Sequence, residues 1–170
     1  MQHAHPSSSH VTTPPWRPNL SPSHPTQRQW YDRNHLARPS ELDHSKVTRY
    51  NFAFFQPNEE GDIWGTDKWA DSIVLFGEQD WAAPEGTQQY CSWDTPKGPP
   101  EPNACASRKS GTGLIELAHD AGVEVYPSIG GWTLSNSFPK LAANPTARVA
   151  FANNCVRLIE AYDFDGIDIE

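Results

Sequence analysis

The sequence contains no long apolar run and little positive charge. No stretch of the 170 residues approaches the ~20 apolar residues of a membrane-spanning helix, so we predict no membrane partner. Lys and Arg number 13 against 21 Asp and Glu, and the formal net charge of −8 argues against nucleic acid as a partner. The N-terminal stretch MQHAHPSSSH lacks the apolar core of a signal peptide, so none is visible in this chain.

Cysteine is scarce as well, with three in the chain. Cys91 and Cys105 flank the proline-rich loop YCSWDTPKGPPEPNAC, and we interpret them as a disulfide that closes it, with two free thiols as the alternative. Such a disulfide indicates an oxidising compartment, so we expect an extracellular or secretory-pathway protein. Cys155 is predicted to be a small core residue of a helix. Because neither C-x-x-C nor a His-rich spacing occurs, we predict no metal site and no cofactor.

Apolar residues make up only 36% of the sequence, while 16 prolines and 11 glycines favour turns over packed core. Residues 1–28 consist mostly of Pro, Ser, Thr and His, and they cannot bury enough apolar surface to offset the entropy of ordering. We therefore predict a disordered tail or linker over 1–28 and a folded unit over 29–170.

The folded unit is predicted to alternate strands and helices. We expect strands at 47–55, 123–129 and 164–170, and a further local strand at 72–76, SIVLF. A helix is expected at 110–121, ended by Gly122, and another from Asn144 as N-cap and Pro145 to about Tyr162. This alternation predicts a parallel sheet, either the start of a doubly wound fold or part of a (β/α)₈ barrel, which needs about 250 residues.

Ligand sites of parallel α/β folds lie at the carboxyl ends of the strands, and two of these ends are distinctive. In FDGIDIE, alternation places Gly166, Asp168 and Glu170 on one face, with the two carboxylates ~6–7 Å apart along the strand. Paired carboxylates suit acid–base chemistry, although acids with a purely structural role, bonded to neighbouring groups, would give the same sequence pattern. In SIGGW, two glycines at a strand end allow the close approach of another backbone or of a ligand.

Taken together, these segments resemble the glycoside hydrolases of family 18, the chitinases and their relatives. YPSIGGW resembles the S-x-G-G motif of their third barrel strand, FDGIDIE resembles the first half of their fourth-strand signature D-x-x-D-x-D-x-E, and RYNFAFF is similar to their second strand. The resemblance implies an α/β fold that is a partial (β/α)₈ TIM barrel covering about strands two to four. PSHPTQR stands where the first strand is expected, so that strand is degenerate or lost.

The resemblance also implies a site. Its catalytic signature positions are Asp165, Asp168 and Glu170, with Glu170 where the family usually has Asp, and the proton-donating Glu is expected two residues after Glu170. Its substrate-binding positions are Phe54, Ser128, Gly130, Gly131 and Trp132, and Ser128 is expected to hydrogen-bond to the acids. The connection 56–109 adds Trp64, Trp69, Trp81 and Trp93, which form either a local hydrophobic cluster or a wall that stacks on sugar rings.

The implied function is hydrolysis of β-1,4-linked N-acetylglucosamine polymers by a substrate-assisted, retaining mechanism. On this interpretation the chain is an N-terminal fragment of a catalytic domain, inactive alone and monomeric, and its partner is chitin or an N-acetylglucosamine oligosaccharide. Two alternatives within the family stay open, a non-catalytic chitin-binding lectin-like protein and an endo-β-N-acetylglucosaminidase. An open α/β fold unrelated to sugars would explain the alternation but not the joint presence of SIGG and DGIDIE.

Overall fold

The computed structural model describes residues 38–67, 70–78 and 108–170. Over these ranges four strands form one open sheet in the order β2-β1-β3-β4. The strands are β1 (Arg49–Pro57), β2 (Ile63–Gly65), β3 (Glu124–Ile129) and β4 (Asp168–Ile169). Strands β1, β3 and β4 run parallel, which confirms the predicted parallel sheet, whereas β2 is an antiparallel strand that pairs with β1 and was not predicted.

The helices of the described ranges pack on one face of this sheet. They are α1 (Ala70–Phe76), α2 (Leu114–Asp120), α3 (Phe138–Ala143) and α4 (Pro145–Tyr162). Short 3₁₀ turns precede β1 and α3, at Pro39–Glu41, His44–Lys46 and Ser135–Ser137. None of these helices is long and apolar enough to cross a bilayer.

The prediction of a strand at 72–76 is wrong, because this run belongs to α1. The Asp67 carboxylate accepts a hydrogen bond from the Ala70 amide at 2.9 Å, and the Asp71 carboxylate accepts one from the Asp67 amide at 3.0 Å. These reciprocal bonds satisfy the amide groups that a helix N-terminus leaves unpaired. The chain therefore turns into a helix even though Ile73, Val74 and Phe76 are good strand formers.

The two predicted helices are present. α4 begins as expected, because the Asn144 side chain accepts hydrogen bonds from Thr146 N at 3.0 Å and Ala147 N at 3.4 Å. α2 begins at Leu114, four residues later than predicted, because Glu116 accepts hydrogen bonds from Ser110 and from Gly111 N and holds the preceding residues in a turn. Gly122, at φ 70°, follows the end of α2 in the left-handed conformation that glycine favours.

The hydrophobic core lies between the sheet and the helices. Phe52 and Phe55 of β1 are fully buried there, and the Phe55 ring meets the Phe164 ring edge-on at 6.2 Å. Each fully buried side chain of this size contributes about 1.5–3 kcal/mol relative to its exposure. Cys155 of α4 is partly buried against this core, as predicted, and burial raises the pKa of its thiol to about 11.

The opposite face of the sheet carries polar and glycine positions. It presents Arg49 and Asn51 from β1, Tyr126 and Ser128 from β3, and Asp168 from β4. In a barrel this face would line the interior, as the alternation in FDGIDIE predicts. Trp64 lies partly buried on β2. Several predictions lie outside the described residues: the 1–28 tail, the degenerate or lost first strand, the Cys91–Cys105 pair, and Trp69, Trp81 and Trp93.

Candidate functional site

A buried hydroxyl holds the first acid of the site. Ser128 is fully buried, and it lies opposite Asp168 in the parallel pairing of β3 and β4. Its Oγ donates a hydrogen bond to Asp168 Oδ2 at 2.7 Å. Because the acceptor is a carboxylate, this bond is of the stronger, charge-assisted kind. The structure thus contains the bond expected between Ser128 and the acids, at the carboxyl ends of two neighbouring strands.

The second acid, Glu170, follows β4 at the same edge. Its backbone amide donates to Ile129 O at 3.0 Å, and its carbonyl oxygen accepts from Gly131 N at 3.2 Å. These bonds continue the pairing of β3 and β4 beyond Ile169. Strand alternation places Glu170 and Asp168 on the same face, and Glu170 is exposed at the rim of the sheet while Asp168 is partly buried below it.

Gly130 and Gly131 let three strand ends meet at this edge. Both have positive φ angles, 104° and 95°, which side-chain-bearing residues rarely adopt. A Cβ at Gly130 would collide with the carbonyl oxygen of Glu170 and would lie 2.7 Å from the Phe138 ring. A Cβ at Gly131 would lie 2.9 Å from the ring of Phe54. The close approach predicted from the two glycines is therefore an approach of protein to protein, which builds the rim of the site.

Phe54 and Trp132 contribute aromatic surface beside these glycines. The pairing of β1 with β3 shifts register between Ala53 and Phe55, so Phe54 leaves the alternation of the strand, and its ring lies over Gly131. The peptide bond between Ala53 and Phe54 is cis. Trp132 follows the glycines and is fully exposed, at 101% of its reference area. An exposed indole directly after these glycines offers a flat apolar surface to a ligand.

Sequence reasoning missed Ser135, which ties the loop after β3 to the end of β4. Its Oγ lies 2.8 Å from the carbonyl oxygens of both Gly131 and Glu170, and its single proton serves one of them at a time. The polar run SNS after Trp132 was the available signal, but such runs are common in loops. Ser135 matters because it holds the backbone of Glu170 in place.

Asp165 does not join this cluster. Its Oδ2 accepts hydrogen bonds from Val125 N at 2.7 Å and from His119 Nε2 at 2.9 Å. Val125 precedes Ser128 by three residues, or about 10 Å along a strand. The structure therefore brings Asp168, Glu170, Ser128, the two glycines and Phe54 together, with Trp132 fully exposed directly after the glycines. It places Asp165 at the opposite end of β3, away from the edge where a ligand would bind.

Below the Ser128–Asp168 pair, the same face of the sheet is filled by an aromatic layer. The Tyr126 ring covers Gly166, where a Cβ would lie 2.6 Å from it, and the Arg49 guanidinium lies 4.9 Å from the ring centroid. Asn51 is buried beside them, and within the described residues its Oδ1 has no hydrogen-bond partner. In the described part of the chain, no group of three or more His, Cys, Asp or Glu could hold a metal ion.

Acids gathered at the carboxyl ends of parallel strands are the arrangement of α/β enzymes that bind ligands at this edge. Residues 27–170 match the sequence model of the glycosyl hydrolases family 18. The chain therefore belongs to family 18 of the glycoside hydrolases, whose fold is a TIM barrel, and the described open sheet fits a part of such a barrel.

Individual proteins similar to this chain are chitinases. Endochitinase 1 of Metarhizium anisopliae is 27% identical over 82% of this chain and 28% of its own length. Chitinase B of Serratia marcescens is 38% identical over 47% of this chain and 17% of its own. The structure of chitinase ChiA74 from Bacillus thuringiensis superposes with a TM-score of 0.51 at 26% identity, covering 86% of this chain and 26% of that one. The chain thus spans about a quarter of the length of Endochitinase 1 and of the ChiA74 structure.

Proposed function

We propose that the protein carrying these residues is a chitinase-type glycoside hydrolase that cleaves β-1,4-linked N-acetylglucosamine polymers. The observation that carries the proposal is the Ser128–Asp168 hydrogen bond, 2.7 Å long, at the carboxyl ends of two parallel strands. It joins the two positions at which SIGG and DGIDIE match the motifs of the family. The names of the relatives, endochitinase and chitinase, support the substrate class.

The proposed mechanism is substrate-assisted and retaining. The acetamido oxygen of the substrate attacks the anomeric carbon as the glycosidic bond breaks, and a Glu two residues after Glu170 gives its proton to the leaving oxygen. Glu170 orients the acetamido group, and Asp168, held by Ser128, lies behind it. The two carboxylates stabilise the positive charge of the oxazolinium-like intermediate, which water then opens with retention of configuration.

Trp132 and Phe54 are proposed to bind the sugar rings. The exposed indole of Trp132 suits the apolar C–H face of an N-acetylglucosamine unit. Trp132→Ala should raise KM for chitin oligosaccharides about tenfold, since a stacked aromatic is worth on the order of 1.4 kcal/mol, and it should leave the free energy of unfolding unchanged. Val149→Ala is the control, because it removes an exposed apolar side chain from α4, outside the strand ends that form the site. An unchanged KM for Trp132→Ala would contradict the assignment.

We further propose that residues 29–170 are the N-terminal part of the catalytic domain and that the chain is inactive by itself. β4 stands at the edge of the described sheet, and a parallel sheet is stable when further strands or helices cover its edges and faces. The test compares the hydrolysis of chitin oligosaccharides by these 170 residues and by a longer form that includes position 172. Hydrolysis by the 170 residues at the rate of the longer form would overturn the proposal.

The proposal extends to the setting of the protein, a monomer outside the cell or in the secretory pathway with a Cys91–Cys105 disulfide in its loop. Peptide mapping without reducing agent tests the disulfide, and it should recover the two cysteines in one linked peptide. Alkylation of both thiols in unreduced protein would refute the pairing. Light scattering on the purified protein tests the monomer.

A non-catalytic, chitin-binding protein is the second candidate. The observation that favours it is Glu170, which stands where the family usually has Asp and carries one more methylene into the site. Reading position 172 separates the two functions, because Glu supports an enzyme and an apolar or amide residue supports a lectin. Cleavage of an N-glycoprotein in preference to chitin oligosaccharides would instead identify an endo-β-N-acetylglucosaminidase.

A further inference from the structure

We propose that Asp165 is a positioning residue that, together with His119, sets the register of β4 against β3 and so places Asp168 on Ser128. The structural part of this inference stands on the contacts alone, and its consequence for catalysis rests on the proposed function. Asp165 thereby acts on the acids from the far end of the strand without touching the substrate.

The pairing of β4 with β3 is short, and the Glu170 backbone bonds extend it only at its carboxyl end. It consists of two residue pairs, Ser128 with Asp168 and Ile129 with Ile169. The backbone carbonyls of Val125 and Ile129 both accept hydrogen bonds from the β4 side. Because backbone groups alternate in direction along a strand, those of Pro127 point to the same side, and proline has no N–H to donate there. A slip of one residue would turn Asp168 to the helix-facing side of the sheet and Ile169 to the polar side. Toward the start of β3, a contact other than a regular strand bond therefore has to hold the chain before β4 against Val125.

Asp165 supplies this contact by bonding to both backbone groups of Val125. Its main-chain amide donates to Val125 O at 3.0 Å, and its Oδ2 accepts from Val125 N at 2.7 Å. The carboxylate thus takes the place of the carbonyl that a longer β4 would offer. Because Asp165 and Val125 are separated by the same 40 residues as Asp168 and Ser128, fixing the first pair aligns the second.

His119 holds the carboxylate of Asp165 in this position from α2. Its Nε2 lies 2.9 Å from Asp165 Oδ2, and its Nδ1 lies 3.4 Å from Asp163 Oδ2. The bond to Asp165 requires a proton on Nε2, so the ring donates to the oxygen that also accepts from Val125 N. The Tyr126 ring, packed on Gly166 one residue along, leaves no space for a side chain there and supports the same alignment.

The first test measures structure and does not depend on activity. In the full-length protein, the Val125 amide should exchange with deuterium as slowly as the amide of Glu170, since both donate between the two strands. Asp165→Ala should speed exchange at Val125 about tenfold, the loss of one charge-assisted hydrogen bond, and Asp165→Asn should restore most of the protection because its amide oxygen still accepts. Asp163→Asn is the matched control, since it removes the other carboxylate facing His119 and retains a residue that tolerates φ 61°.

The second test measures the consequence for catalysis on chitin oligosaccharides. Asp165→Ala should lower kcat about 10- to 100-fold with KM nearly unchanged, because a misplacement on the order of 1 Å is costly for catalysis and the substrate site itself is intact. The losses from Asp165→Ala and Ser128→Ala should be less than additive in the double variant, because both act on Asp168.

A Val125 amide that exchanges freely in the wild type, equal exchange in Asp165→Asn and Asp165→Ala, or additive losses in kcat would each overturn the proposal. A wild-type protein without hydrolytic activity refutes the proposed function instead, and the exchange experiment then still decides the role of Asp165.

Discussion

Replacing Gly130 with alanine tests the tightest contact of the candidate site. Gly130 has φ 104°, outside the conformations that alanine readily adopts, and its added Cβ would meet the backbone carbonyl of Glu170. The strained φ costs on the order of 1–2 kcal/mol, and the forced displacement of a packed backbone costs a further ~1–3 kcal/mol. We therefore expect Gly130→Ala to lower the free energy of unfolding by about 2–5 kcal/mol, measured by urea denaturation of the full-length protein.

Two other glycines separate these contributions. Gly122, at φ 70°, has nothing within 4 Å of the position of an added Cβ, so Gly122→Ala should show only the conformational cost, about 1 kcal/mol. Gly131, at φ 95°, faces the Phe54 ring at 2.9 Å, and a ring at the end of a side chain can move further than a backbone carbonyl. The loss of stability should therefore be smallest for Gly122→Ala, larger for Gly131→Ala and largest for Gly130→Ala. A loss in Gly130→Ala no larger than that in Gly122→Ala would refute the reasoning.

Three further predictions follow from single contacts. Ser128→Ala should lower the free energy of unfolding by about 1–3 kcal/mol in urea denaturation, because the partly buried Asp168 loses a hydrogen-bond donor. Ser45→Ala is the control: it removes an exposed Ser–Asp hydrogen bond and should cost much less. Asn144→Ala should cost about 1 kcal/mol through loss of the α4 cap, with Asn153→Ala on the exposed side of α4 as its control, and equal losses would refute the cap. Burial raises the pKa of Cys155 from 9.0 to about 11, so iodoacetamide should label it slowly at pH 8 until urea unfolds the protein, and rapid labelling of the folded protein would contradict this.

The same raised pKa of Cys155 predicts how the free energy of unfolding changes at alkaline pH. Between pH 9.0 and about 11 the thiol of Cys155 keeps its proton in the folded protein and loses it in the unfolded chain. The unfolded state then binds fewer protons, so this group makes the free energy of unfolding fall as pH rises through that window. Cys155→Ala should reduce that part of the decline, measured by denaturation at pH 8 and pH 10.

Much of the fold was predictable because its signals are local. The Asn144 cap, Pro145 and Gly122 act within a few residues of their own position, so the start and end of helices followed from them. Strand alternation placed Gly166 and Asp168 on one face, as the Tyr126–Gly166 and Ser128–Asp168 contacts show. The prediction of a strand at 72–76 was wrong because the reciprocal hydrogen bonds of Asp67 and Asp71, together with burial against the sheet, stabilise a helix despite the β propensity of the run.

The sequence by itself determined which residue types stand at the strand ends, and through them the family. The tertiary structure alone decided which of these residues meet. Asp165 and Asp168 are three residues apart in one motif, yet one binds Val125 at the start of β3 and the other binds Ser128 near its end. The physical reason is that residues of a strand lie ~3.3 Å apart along one line, so residues of one short motif reach different parts of the neighbouring strand. Which residues they meet depends on the register between two segments that are 40 residues apart in sequence, and no local pattern encodes that register.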